Sequence, residues 1–276
     1  MVPPGATSLV GVRMAEVRNS AFYKELIQQN KLPSVDQFAR ETGFDPRRDV
    51  REILFASTKS GGVLLARGVF HVNAVKEAKP LRHGVYTVQA LGTNGYCVLD
   101  ATLAIAGDIP TVNAALDEWT SGKHTAAQPL LARGKQIEPD YPFWGVSFGF
   151  AGFLADNMPR AASGVDFSKI FRGLEDTWFE ATFTNGFKGT VHGATAADAD
   201  AVSLRDTAKG LIGFGRLNVP ENQPDMLKLW DGISVEQEGR SVSIRIDVAQ
   251  NLVDQLVRML GSAQSGRGRG RGRGRI

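Results

Sequence analysis

The 276-residue chain holds a single cysteine, Cys97. One thiol excludes an internal disulfide framework and a cysteine-based zinc site. Set among Tyr96, Val98 and Leu99, it reads as a small buried hydrophobe. No run of about 18 apolar residues is present to span a membrane as a helix. No Lys/Arg-then-apolar signal segment precedes Val2. The histidines, His71, His83, His124 and His192, lack the i,i+4 spacing that would put two imidazoles on one helix face, so no metal is expected. Phosphate cradles are missing too: no G-x-x-x-x-G-K-[ST] occurs, and Gly213-Phe214-Gly215 has no third glycine in register. No cofactor is expected.

Positive charge is present but unevenly placed. The net charge is +3 with 32 basic residues, five of which (Arg267, Arg269, Arg271, Arg273 and Arg275) fall in the last ten positions. Taking these away leaves 27 basic against 29 acidic residues, a mildly acidic body. Alternating glycine removes helix and strand preference from the tail and leaves five permanently charged planar groups on a flexible chain. Such Arg-Gly tails resemble those that contact phosphates and stack on bases, so nucleic acid or another anionic surface is one candidate partner. The densest charge cluster in the body, DPRRDVRE from Asp45 to Glu52, mixes both signs. With Arg48 and Glu52 at i,i+4, it reads as a self-paired surface.

The hydrophobic patterning predicts an α+β protein. Val10, Val12 and Met14 recur at period two, a half-buried strand, and Val17, Ala21, Phe22 and Leu26 follow at helical spacing. Ser34 with Gln37 forms a capping box for a second short helix. A hairpin follows from Ile53 to Phe70 around Ser60-Gly61-Gly62, then a helix from about His71 to Lys79. VYTVQAL and GYCVLDATLAIAG read as a strand pair. Asp108 and Asp247 each precede a helical apolar pattern and are expected to be N-caps. The second half predicts a strand at FWGVSFGFAGF, a short helix near Phe167 to Phe171, a hairpin around Asn185-Gly186 and a helix opened by Thr195 with Asp198. A last hairpin across Glu238-Gly239 and a C-terminal helix complete it.

Two stretches, Ile53–Ala78 and Trp178–Val202, superpose without a gap. Ala56, Gly61, Gly68 and Ala74 fall opposite Ala181, Gly186, Gly193 and Ala199. The reading is an internal duplication: two β-α-β-β-α-β-β-α halves with mainly antiparallel sheets. The first repeat spans 1–120, a linker 121–142, the second repeat 143–261, and a disordered Arg-Gly tail 262–276. A ligand groove is expected between the halves.

The sharpest chemical motif is Gly145-Val146-Ser147-Phe148-Gly149, which matches the G-x-S-x-G nucleophile elbow. Ser147, Asp166 or Asp176, and His192 would then form a triad. Against this, Trp144, Val146, Phe148 and Phe150 alternate with small residues straight through the serine, the pattern of one continuous strand where an elbow needs a turn. Ser147 is thus a weak catalytic candidate, and the residues point first to a non-enzymatic binding or scaffolding protein.

Three blocks, VPPGATSLVGVRMAEVRNS, ETGFDPRRDVREILFAS with the following LARGVF, and RLNVPENQPDMLKLWDGISVEQEGRSVSIRIDV, resemble an uncharacterised family of bacterial envelope proteins. The resemblance spans most of Val2 to Leu260. Its signature residues, the Gly43-Phe44-Asp45-Pro46 turn and the Ala66-Arg67-Gly68 strand end, are structural. It implies a periplasmic or envelope location, and it carries over no catalytic residues. Members usually carry a secretion or lipoprotein signal just before a segment like Val2 to Ala6, whereas this sequence starts at Met1. The Arg-Gly tail is not part of the family pattern.

Overall fold

The computed structural model describes residues 1–21, 23–24, 36, 39–40, 44–71, 75, 77–122, 127–148, 174–221 and 225–255. Twelve strands form one antiparallel sheet: β1 Ala6–Arg13, β2 Val50–Thr58, β3 Gly62–Gly68, β4 Lys79–His83, β5 Tyr86–Leu91, β6 Asn94–Asp100, β7 Leu103–Asp108, β8 Phe143–Phe148, β9 Leu174–Thr182, β10 Gly186–Thr195, β11 Ile233–Glu238 and β12 Ser241–Ala249. Their order across the sheet is β11-β12-β10-β9-β8-β1-β2-β3-β7-β6-β5-β4. The helices are α1 Met14–Val17, α2 Pro46–Asp49, α3 Ile109–Ser121, α4 Gln128–Ile137, α5 Asp198–Leu217 and α6 Asp225–Asp231, and residues 250–255 are also helical. This is the α+β architecture expected.

One cross-strand row explains how the sheet is covered. Ala56 of β2 lies opposite Leu9 of β1, Leu9 opposite Val146 of β8, and Val146 opposite Trp178 of β9. The row then runs through His192 of β10, Ser243 of β12 and Glu236 of β11. Residues directly opposite share a face, so this face is apolar through β1, β2 and β8 and polar beyond β9. In the apolar part, Leu9, Ala56, Val63, Ile105 and Trp144 are buried with Val112, Ala115 and Leu116 of α3 and Leu130 of α4. Beyond β9 the apolar side chains sit on the opposite face, where Val235 and Val242 pack with Ala201 of α5, and Val248 with Leu252 and Val253. The main core therefore changes sides of one continuous sheet. Ala181 is three residues past Trp178 and faces away from it, so the gap-free superposition puts Ala56 and Ala181 on opposite faces.

Several expected elements are in place. Cys97 is free and buried at 2% exposure, and that burial pushes its thiol pKa up. Asn185 takes the left-handed φ of 58° that its turn requires, and the β11–β12 hairpin turns at Gly239. Leu204, Ala208 and Ile212 of α5 pack inward. Residues 21, 23–24, 36 and 39–40 are helical, while Phe22, Leu26, Ser34, Gln37 and Phe167 to Phe171, on which three helices were expected, lie outside the described residues, as do His124, Asp166 and the tail arginines Arg267, Arg269, Arg271, Arg273 and Arg275.

Other elements differ. Lys79 opens β4 instead of closing a helix. Edge strands are commonly guarded by Lys and Pro, and β4 reads Lys-Pro-Leu-Arg-His with four of five residues exposed, which hides its strand period. The stretch Gly95 to Gly107 is two strands, not one. Asp100 Oδ1 accepts from the Thr102 amide at 2.6 Å and its hydroxyl at 2.7 Å, an Asx turn made without glycine or proline. The segment expected as a linker carries α4, whose Leu130, Gly134 and Ile137 are buried. Asp247 caps no helix: it lies within β12 and pairs across the strands with Lys188 at 3.1 Å. The period-two pattern Val242, Ile244, Ile246, Val248 carries through it.

Candidate functional site

α4 crosses the apolar face over β1 and β8, and its register is set by Trp144. The indole lies where a Cβ on Gly11 of β1 or on Gly134 of α4 would overlap it, the Gly134 Cβ meeting the ring at 2.6 Å. Removing both side chains lets a helix and a strand close on one buried aromatic. Beside this contact the sheet and helices leave a cavity of about 340 Å³. Leu54, Leu65, Leu103, Trp119, Leu131 and Trp144 supply its apolar walls, and Arg13, Glu52, Arg67, Lys135 and Glu138 its charged ones. This volume is at the lower end for small-molecule sites, which are mostly apolar with a few placed polar groups.

The charged groups at this cavity are not equivalent. Arg13 Nε donates to Glu16 Oε1 at 2.6 Å, and its Nη1 donates to the Glu138 carbonyl. The Glu16 hydrogen bond raises the Arg13 pKa, so this cation stays charged and structurally committed. Arg67 pairs with Glu52 at 3.6 Å with both side chains exposed, a contact worth little. Lys135 makes no ion pair with a described residue. The cavity thus offers apolar walls beside two loosely held cations.

On the other flank of α4 the polar part of the same face begins. Arg133 lies 4.6 Å above the Trp178 ring, and His192 stacks on Trp178 with centroids 4.7 Å apart and 7° between planes. His192 Nε2 is 2.8 Å from Glu180 Oε1, and its Nδ1 is 2.9 Å from Ser243 Oγ. A second hollow, lined by Val17, Lys24, Phe183 and Gln250, is more polar and carries no comparable set of groups.

The elbow candidate is not assembled. Ser147 is in β8, 5% exposed, with its hydroxyl donating to the Thr7 carbonyl at 3.2 Å. It lies opposite Ser8 and Thr177, one residue out of phase with the row of Val146, Trp178 and His192, so it faces the other side of the sheet from His192. Asp176, opposite Phe148, is on the His192 side as well. A continuous strand through Ser147 provides no strained turn.

The charge cluster is self-paired, with different partners from those expected. Arg47 binds Asp45 at 2.9 Å and Asp36 at 2.8 Å, and Arg48 binds Asp49, leaving Glu52 to Arg67. The Arg47 hydrogen bond holds the Asp45 carboxyl below its ordinary pKa, as Arg48 does for Asp49. Among the described residues no group of three or more His, Cys, Asp and Glu is placed to hold a metal ion. No described helix is long and apolar enough to cross a membrane. The sequence did not single out the cavity residues, because Leu54, Leu65 and Leu131 read as ordinary core positions. Their shared opening depends on where α4 lands.

No family model and no curated protein matches the chain. Its fold is similar to the crystal structures of TP0453. Crystal form III matches with a TM-score of 0.53 and 8% identity, covering 95% of this chain and 96% of that one. Crystal form I matches with a TM-score of 0.50 and 9% identity over 95% and 98%. At these identities the likeness concerns the fold alone.

Proposed function

We propose that the protein is a binding protein that holds a small amphiphile, an apolar chain with an anionic head, in the cavity beside α4. The observation that carries this reading is the cavity itself: leucine and tryptophan walls, with Lys135 and Arg67 among its lining residues. Apolar walls reward burial of a hydrocarbon chain at roughly 25 cal/mol per Å². The cations select the head group. The resemblance of the sequence to envelope proteins supports a place in the bacterial cell envelope, where such amphiphiles are abundant. The matching strand orders β1-β2-β3-β7-β6 and β8-β9-β10-β12-β11, read outward from the centre, support a duplication. Its two copies have since diverged in the face that their closing helices cover.

Titration with a fluorescent 12-carbon carboxylate tests the reading. Saturable one-site binding is expected, weakened at least tenfold by Leu65→Arg. A folded Leu65→Arg protein that binds as well as the wild type contradicts it. A second reading rests on the five tail arginines, which suit single-stranded nucleic acid. Truncation after Gly261 then abolishes binding, and the logarithmic salt slope of the intact chain is about −3.5, from roughly 0.7 per neutralised phosphate. Equal affinity of intact and truncated chains removes it.

A further inference from the structure

The geometry points to a second, chemically reactive site on the polar part of the sheet, with Ser243 as an activated nucleophile for acyl transfer from activated esters. Three neighbouring strands each contribute one member: Glu180 from β9, His192 from β10 and Ser243 from β12. The chain runs Glu180 Oε1 to His192 Nε2 at 2.8 Å and His192 Nδ1 to Ser243 Oγ at 2.9 Å. These are the separations at which a carboxylate orients an imidazole and the imidazole accepts a hydroxyl proton. Glu180 is 9% exposed, and its Oε2 has no hydrogen-bond partner, so the imidazole N–H is the donor that this carboxylate has. A buried, under-solvated carboxylate favours the tautomer with its proton on Nε2 and leaves Nδ1 as the base. Stacking on Trp178, itself covered by Arg133, fixes the ring plane.

The proton and bond changes balance with water as the only co-reactant. Ser243 Oγ bonds to the ester carbonyl carbon while its proton passes to His192 Nδ1. Collapse of the tetrahedral adduct breaks the carbon–oxygen bond to the alcohol, which takes that proton from His192. Water then repeats the sequence, returning the serine and releasing the acid. Ser243 and His192 are the catalytic residues and Glu180 is a positioning residue. The ladder occupies the strand amides around Ser243, so the developing oxyanion would rely on a side-chain cation; among the described residues Arg245 is two residues along the same face and loosely paired to Glu236 at 3.4 Å. With the strand amides around Ser243 occupied and a side-chain cation in place of an amide oxyanion hole, acylation is favoured over rapid turnover.

The test is covalent labelling of the full chain by a fluorophosphonate, with the site read by peptide mass spectrometry. One label at Ser243 is expected. It should be absent in Ser243→Ala, unchanged in Ser147→Ala, and slowed on the order of 100-fold in His192→Gln. For Glu180 the readout is a low-field imidazole N–H proton resonance, present in the wild type and lost in Glu180→Gln while near-ultraviolet circular dichroism is unchanged. A folded wild-type protein with no label at Ser243, or equal labelling of His192→Gln, overturns the proposal.

Discussion

Trp144 owes its position to two residues without side chains. In an open helix position Gly→Ala gains about 1 kcal/mol from backbone propensity. At Gly134 the added methyl meets the Trp144 ring at 2.6 Å, and overpacking of this kind costs about 1–3 kcal/mol. The Gly134→Ala protein is therefore expected to be less stable than the wild type in urea denaturation. Gly213→Ala in α5, where the new Cβ meets nothing within 4 Å, should be more stable by up to about 1 kcal/mol. Opposite signs for one substitution in two helices distinguish a packing role from propensity. Helix propensity alone scores the two glycines alike, because the aromatic that decides between them is ten residues from Gly134 in another element.

Among the elements, α3 has a start that was legible from sequence. Asp108 accepts from the Thr111 amide at 3.0 Å, as an N-cap should, and its other oxygen accepts from the Gly62 amide at 2.7 Å. It therefore ties the helix to the β2–β3 turn. Burial pushes its carboxyl pKa up, but the hydrogen bonds from Thr111 and Gly62 outweigh this and hold it below its ordinary value. A depressed folded pKa gives stability that is present above the unfolded value of about 4 and is lost as pH falls through the folded value. Asp108→Asn should destabilise at pH 7 by about 1 kcal/mol, the difference between charged and neutral hydrogen bonds, and the gap to the wild type should close as pH drops below about 4. A gap that stays constant with pH would show that the carboxylate charge is not involved. Asp247 carried the same sequence signal and is a strand residue. What separates the two is the apolar alternation that continues past Asp247 and stops at Asp108.

At the scale of the molecule, the α+β class and most hairpins follow from period and turn chemistry, whereas the side of the sheet that each group of strands buries does not. Period two states that one face is apolar but not which face of a shared sheet it becomes. That is settled where β1 and β8 pair and α4 closes over them. The cavity arises at this junction, and so does the boundary between apolar and polar parts of the row from Leu9 to Ser243. Two of the four tryptophans, Trp119 and Trp144, line the cavity, while Trp178 and Trp230 do not. Quenching of tryptophan emission by a bromine-labelled 12-carbon carboxylate therefore tests the binding account directly. Saturable quenching is expected in the wild type and is lost in the Trp119→Phe/Trp144→Phe protein, with the emission of the other two tryptophans retained. Equal saturable quenching of that folded double variant would place the ligand elsewhere and contradict the account.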